Sequence, residues 1–266
     1  MKVVLITGAS GGIGEALAMK LAARKHNLLL VARNTNKLET LCKELTEKYR
    51  IHAGFIAADL GKPGAADQVY LETLQRGLQV EMLINNAGRG SGGEFANLSL
   101  DSELEMLQLN ISSLVALSHL FLQGMKARKS GTIINVASMA SFIPVPYMAT
   151  YAASKVFVRH FTQALTQECK LYRVRVMLLT PGLTRTNFNE AAGIRNEIEK
   201  GLGTEYNGST QTADQVADEL LKAFDRRKDY IVSGRMNRIA AGLSVLLPNA
   251  FAARSFAGSY RKKIGN

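Results

Sequence analysis

A short apolar run, Val3-Val4-Leu5-Ile6, passes directly into Thr7-Gly8-Ala9-Ser10-Gly11-Gly12-Ile13-Gly14 and then into an amphipathic stretch. A buried strand, a glycine-rich turn and a helix in immediate succession leave few folds open. Gly8 permits a tight turn out of the strand, Gly12 lets the backbone approach a pyrophosphate, and Gly14 lets the helix pack closely on the sheet. The helix N-terminus then offers free N–H groups and a positive dipole end to phosphates. The spacing is G-x-x-x-G-x-G, not the G-x-G-x-x-G of the commonest dinucleotide fold. A glycine-rich turn without a ligand is the alternative, and the strand before it and helix after it argue against that. Gly8, Ser10, Gly12, Ile13 and Gly14 are the candidate loop residues.

Further strands are expected at 27–32, 51–57, 80–85, 132–137, 174–180 and 229–233, after the first at 3–7. Several, such as Asn27-Leu28-Leu29-Leu30-Val31, are continuous apolar runs, the pattern of strands buried on both faces. Helices are expected near 12–25, 35–49, 63–76, 100–128, 149–172 and 212–225, with Asp101 and Thr212 as start signals. Such alternation predicts an α/β, Rossmann-like doubly wound parallel sheet of about seven strands with helices on both faces. At 266 residues and 47% hydrophobic, the chain suits one well-cored domain over 1–266. Two regions break the alternation: a glycine-bearing candidate substrate loop near 185–211, and a helical C-terminal segment, 235–266, with Ile239, Leu243, Leu246 and Leu247 on one side. That segment could be a docked cap, a dimer contact or a surface-binding helix.

The two cysteines, Cys42 and Cys169, lie far apart and read as unpaired thiols in a reducing compartment, and the four histidines lack ligand spacing, so no metal is expected. The apolar run at residue 3 is too short for a signal peptide, and no stretch approaches about 18 uninterrupted apolar residues. The expectation is a soluble, cytoplasmic protein. The formal charge of +11 is uneven: residues 226–266 carry nine basic residues and one acid, Asp229. Such a segment could meet a membrane surface, nucleic acid or an anionic substrate group, or be a solvated face. No nucleic-acid partner is expected.

The end of the second strand is where an acid would accept from a ribose 2′-hydroxyl. This chain has Val31-Ala32-Arg33-Asn34 there. Without the acid, and with Arg33 able to pair with a phosphate, NADP(H) is favoured over NAD(H); Arg33 as an ordinary surface cation is the alternative. Further on, Tyr151 and Lys155 are spaced i, i+4 and would share one helix face. A neighbouring ammonium favours the phenolate; a useful range near pH 7–8 lies about 2–3 units below the ordinary value of about 10, and Lys155, helped by the positive charge of the oxidised nicotinamide, could supply much of that drop. The pair is weak on its own. Ser138, at the end of a parallel strand where such folds place their sites, strengthens it.

With these residues in view, the chain resembles a single-domain short-chain dehydrogenase/reductase. The motifs are Thr7-Gly8-x-x-x-Gly12-x-Gly14, Asn85-Asn86-Ala87-Gly88, Asn110, Ser138, Tyr151-x-x-x-Lys155 and Pro181-Gly182-x-x-x-Thr186, and the likeness covers about residues 1–190 well. It implies an NADP(H)-dependent oxidoreductase acting between a carbonyl and its alcohol. Tyr151 would be the general acid, Ser138 would stabilise the developing alkoxide, and Lys155 would tune the tyrosine and hold the nicotinamide ribose. Asn110 would anchor a water relaying protons to Lys155. Asp59 would contact adenine, and Asn86, Ala87 and Gly88 would line the adenosine ribose. Pro181, Gly182 and Thr186 would border the nicotinamide, Thr186 binding its carboxamide, with Thr184 as a competing hydroxyl. Asn85 and Asn86 could instead bond neighbouring loops. The resemblance also implies a homodimer or homotetramer paired through the helices 100–128 and 149–172. Met139, Phe142, Ile143, Val145, Met148 and Phe188 could line an apolar cleft for a lipophilic or acyl-type carbonyl substrate. A different class, a non-catalytic NADP(H)-binding sensor or scaffold docking through its basic C-terminus, would be marked by loss of Tyr151 or Lys155, and both are present.

Overall fold

In a computed structural model, residues 1–188, 210–244 and 248–264 are described. Seven strands form one sheet in the order β3-β2-β1-β4-β5-β6-β9, every neighbouring pair parallel. They are β1 (Lys2–Thr7), β2 (Leu28–Ala32), β3 (Ala53–Ala57), β4 (Gln79–Asn85), β5 (Gly131–Val136), β6 (Val174–Thr180) and β9 (Tyr230–Val232). The helices are α1 (Gly12–Ala23), α2 (Thr35–Tyr49), α3 (Ala65–Gln75), α4 (Leu100–Leu107), α5 (Ser113–Ala127), α6 (Ala149–Cys169), α7 (Ala213–Asp225), α8 (Arg235–Ser244) and α9 (Asn249–Ile264).

The continuous apolar runs split cleanly between two cores. Val4 and Ile6 of β1, with Leu28 and Leu30 of β2, face a core closed by Leu17 and Leu21 of α1, Leu38 of α2 and Leu220 of α7. Their neighbours Val3, Leu5, Leu29 and Val31 face the opposite core, closed by Val69 of α3, Leu117 and Phe121 of α5 and Leu165 of α6. Alternate residues point to opposite faces, so a strand buried on both sides has no polar position to give up. Strand order reverses between β1 and β4, which opens a crevice beyond their C-terminal ends, where ligands bind in such sheets.

Two departures from the sequence reading matter. The helix expected over 100–128 is interrupted by a π-helical turn, Gln108–Ser112, between α4 and α5. The run Leu100–Ala127 is long and apolar enough to cross a membrane by length and composition. Here it lies on the sheet, with Leu114, Leu117, Phe121 and Met125 buried. A small second sheet, β7 (Thr184–Arg185) with β8 (Gln211–Thr212), was not expected. It joins the two ends of the candidate substrate loop, whose residues 189–209 lie outside the described residues. The same holds for Leu246 and Leu247.

Candidate active site

The crevice is built by bonds between the β1 and β4 ends. Thr7 Oγ1 accepts from the N–H groups of Asn86 (3.0 Å) and Ala87 (2.9 Å), and Asn86 Nδ2 donates to the carbonyls of Thr7 (2.9 Å) and Gly8 (3.2 Å). The Asn86 side chain is therefore spent on loop-to-loop bonds, the alternative the sequence left open. Gly8 has φ +66°, the left-handed region the turn requires. Gly14 is needed for closeness: a Cβ there would lie 2.3 Å from the Gly8 carbonyl oxygen. The close partner is thus the loop itself, where the sequence reading placed the sheet.

This loop fits a pyrophosphate on the structure's own terms. α1 starts at Gly12 with Gly11 as its N-cap, and no side chain bonds its first N–H groups. Those donors point into the crevice with the helix dipole behind them. Ser10 is half-buried on the loop, while Ile13 packs against the core below. Across the crevice, Thr186 stands against Gly12, where a Cβ would be 2.9 Å from the threonine methyl. Thr184 instead turns back to bond the Gly182 carbonyl at 2.9 Å. The Pro181 carbonyl accepts from Met139 N at 2.9 Å, tying the β6 end to the segment carrying Ser138.

The ribose-selector region is cationic. Arg33 is exposed just past β2. Glu105 of α4 is held below the usual carboxylate range, first by a hydrogen bond from Lys62 (2.5 Å), then by the charges of Arg89 and Arg33. Asp59, after β3, accepts from Gly61 N at 3.0 Å and shapes the neighbouring loop.

The proton-transfer group lies at the end of β5. Ser138 caps the 3-10 turn Met139–Ser141, accepting from Ala140 N at 3.2 Å, and its hydroxyl stands near enough to the Tyr151 phenol to favour the phenolate. Tyr151 and Lys155 are both buried on α6. Lys155 Nζ lies 5.9 Å from the Tyr151 ring centre and donates to the Val136 carbonyl at 3.2 Å. A Cβ on Gly88 would meet Lys155 Nζ at 3.2 Å and Asn110 Oδ1 at 3.1 Å, so the β4 loop closes directly over both.

Burial pushes the Tyr151 phenol up to about 12, and the neighbouring Ser138 hydroxyl offsets only part of that. Burial also pushes Lys155 down to about 8. Desolvation outweighs the ammonium because lysine reaches past the ring without touching the phenol oxygen. Asn110, buried in the π turn, has both amide hydrogens committed, to the Arg89 carbonyl and Ser154 Oγ, each at 3.0 Å, while Oδ1 accepts from Arg89 N at 3.0 Å. Ser154 in turn donates to the Tyr151 carbonyl at 2.7 Å. The Asn110 side chain thus clamps the β4 loop to the tyrosine's helix.

The apolar residues divide. Val145, Met148 and Phe188 gather at Tyr151 with Met106, Tyr147 and Tyr260, the last from α9. Phe142 and Ile143 line a cleft of about 630 Å³ beside α6, with Ala152, Val156 and His160. Val145 lines that cleft as well, so it adjoins the cluster at Tyr151.

A family model described as short chain dehydrogenase matches residues 2–197. The chain belongs to the short-chain dehydrogenase family. It is 35% identical over 184 residues to hydroxysteroid dehydrogenase-like protein 1 of Gallus gallus, covering 68% of this chain and 55% of that one. It is 35% identical over 186 residues to a very-long-chain 3-oxoacyl-CoA reductase of Phaeosphaeria nodorum, covering 68% and 54%. The matched stretch thus spans about half the length of these curated relatives. Among solved structures, the short-chain dehydrogenase from Sphingobium yanoikuyae in complex with NADPH superposes with a TM-score of 0.80 at 30% identity, covering 87% of each chain.

Sequence reasoning missed several residues that shape this short-chain dehydrogenase site. Ser154 completes the Asn110 clamp. Asn237 of α8 packs over Gly182, where a Cβ would be 2.1 Å from its amide nitrogen. Tyr260 stacks on Tyr147 with ring centres 3.6 Å apart. None of the three had a signal in spacing or composition.

Proposed function

We propose that the protein is an NADP(H)-dependent reductase of ketone or aldehyde carbonyls on lipophilic or acyl-type substrates. The observation that carries this is the meeting of Ser138, Tyr151 and Lys155 at the C-terminal edge of the sheet, with the glycine loop across the crevice. Gly8, Gly12, Gly14 and the free N–H groups of α1 would hold the pyrophosphate, Arg33 the 2′-phosphate, and Thr186 the nicotinamide end. Bound there, the reduced dinucleotide would supply the hydride for the carbonyl carbon. Tyr151 gives its proton to the carbonyl oxygen, and Ser138 donates a hydrogen bond to that oxygen as charge builds. A phenol held near 12 stays protonated at neutral pH, which suits an acid in the reductive direction. Oxidation needs the phenolate, and there Lys155 and a cationic nicotinamide must lower it. Apolar walls from Met106, Met148, Phe188 and Tyr260 favour an apolar substrate. The curated relatives named for hydroxysteroid and 3-oxoacyl-CoA chemistry support the same class. Exposed Val156 and Phe157 on α6 would pair two copies.

The test is a panel of steroid, acyl, sugar and small aldehyde carbonyls followed by NADPH absorbance. Turnover is expected with the bulky apolar ketones, and the KM for NADPH should rise about tenfold in Arg33→Ala with NADH little changed. No turnover on any carbonyl, or equal use of NADH and NADPH by the wild type, would overturn this reading.

A further inference from the structure

The C-terminal helices present their apolar residues outward. The side of α8 turned to the body carries Asn237, Ala241 and Ser244, while Met236, Ile239 and Leu243 stand 62%, 56% and 57% exposed. A surface helix in water normally does the reverse. α9 buries Ala252 and Tyr260 and leaves Phe251 62% exposed. The arrangement is anchored at its base. Glu219 of α7 accepts from Gly234 N (3.0 Å), Arg238 (3.0 Å) and Gln211 (3.1 Å), and Asn237 donates to the Ser233 carbonyl at 2.7 Å. These bonds fix which side of α8 faces out.

The charge on this element is one-sided. From Tyr230 to Asn266 the sequence holds six basic residues and no acid. Among the described residues, Arg238 is the one of them in an ion pair, with Glu219. Arg235, Arg254 and Lys262 are exposed beside the outward apolar residues. Two copies meeting face to face would bring these cations together with no carboxylate between them. A surface that is apolar beneath and anionic above matches both features at once.

We propose that α8 and α9 dock on an anionic lipid surface. Met236, Ile239, Leu243 and Phe251 enter the interface, and Arg235, Arg254 and Lys262 meet acidic headgroups. Tyr260 on the inner side of α9 belongs to the apolar cluster around Tyr151, so the docked element adjoins the wall of the active site. If the reductase reading holds, the substrates it reaches are those dissolved in the bilayer; the docking itself does not depend on that reading.

Sedimentation of the full chain with vesicles tests this, using phosphatidylcholine alone and phosphatidylcholine mixed with phosphatidylglycerol. Binding is expected to the mixed vesicles, to weaken in high salt, and to fall about fivefold per charge removed in Arg235→Gln and Arg254→Gln. Ile239→Glu with Leu243→Glu should abolish it. NADPH turnover of a water-soluble ketone without vesicles should be unchanged in all three variants, so failure of docking and failure of the reductase reading are separable. No binding, equal binding to both vesicle types, or binding indifferent to these variants would overturn the proposal. So would self-association by sedimentation velocity that Ile239→Glu removes, which would assign the face to a second copy.

Discussion

Gly14→Ala places a methyl group 2.3 Å from the Gly8 carbonyl oxygen and 2.7 Å from Asn86 Nδ2. Non-bonded carbon and oxygen settle near about 3.3 Å, so loop and helix must part by roughly 1 Å. The neighbour is backbone and cannot swing aside. Overpacking of this kind costs about 1–3 kcal/mol, and stretching the Asn86 bonds to Thr7 and Gly8 adds about 1 kcal/mol. A total of about 2–4 kcal/mol corresponds to a Tm lower by about 4–16 °C at this size. The control is three residues away. A Cβ on Gly11 meets nothing within 4 Å, and its φ of 175° is extended backbone open to any residue. Gly11→Ala should leave the Tm of the cofactor-free protein within about 1 °C. Thermal unfolding of both variants, with NADPH titration by fluorescence, reads the result. Gly14→Ala should also lose affinity, because the α1 donors move relative to the β4 loop. A wild-type Tm for Gly14→Ala, or equal damage from Gly11→Ala, would refute the packing argument.

Asn110→Ala removes the clamp between the Arg89 backbone and Ser154, and should cost about 2–5 kcal/mol in urea unfolding. Its kcat should fall more than its KM for NADPH rises, because Ser154 bears on the tyrosine's helix; an unchanged kcat would count against this. Lys155, held at about 8 against an ordinary 10.5, binds its proton more weakly folded than unfolded. Its contribution to stability is therefore unfavourable below pH 8 and is relieved as pH rises from 8 to 10.5, by an amount on the order of 3 kcal/mol. Wild-type unfolding free energy should rise over that window relative to Lys155→Met, and a flat difference would show the ammonium is not desolvated.

The sheet was legible to within a residue or two because a strand buried on both faces must be apolar throughout, as Leu28–Val31 is. That Ser138, Tyr151 and Lys155 would come together was legible from the helix spacing and the strand end. What spacing could not carry was desolvation. An i, i+4 pair announces an ammonium near a phenol but not that both sit beneath the β4 loop, so the burial that pushes Tyr151 up was hidden. The π turn at Gln108–Ser112 was hidden because its residues suit a helix, and only the contacts of Asn110 with Arg89 and Ser154 show what the turn serves. β7 and β8 are two residues each, too short to leave a pattern. For α8 the periodicity of Ile239 and Leu243 gave a face but not its direction, and the outward choice was set by the bonds of Asn237 to Ser233 and of Arg238 to Glu219 on α7.

The central claim is that Tyr151 transfers the proton. Tyr151→Phe removes one oxygen from a buried ring and keeps its contacts with Met148 and Phe188. Single-turnover reduction of the best ketone, beside an NADPH binding titration, tests it directly. The account predicts a rate lower by about 100-fold or more with NADPH affinity retained. Near wild-type turnover in that variant would contradict it.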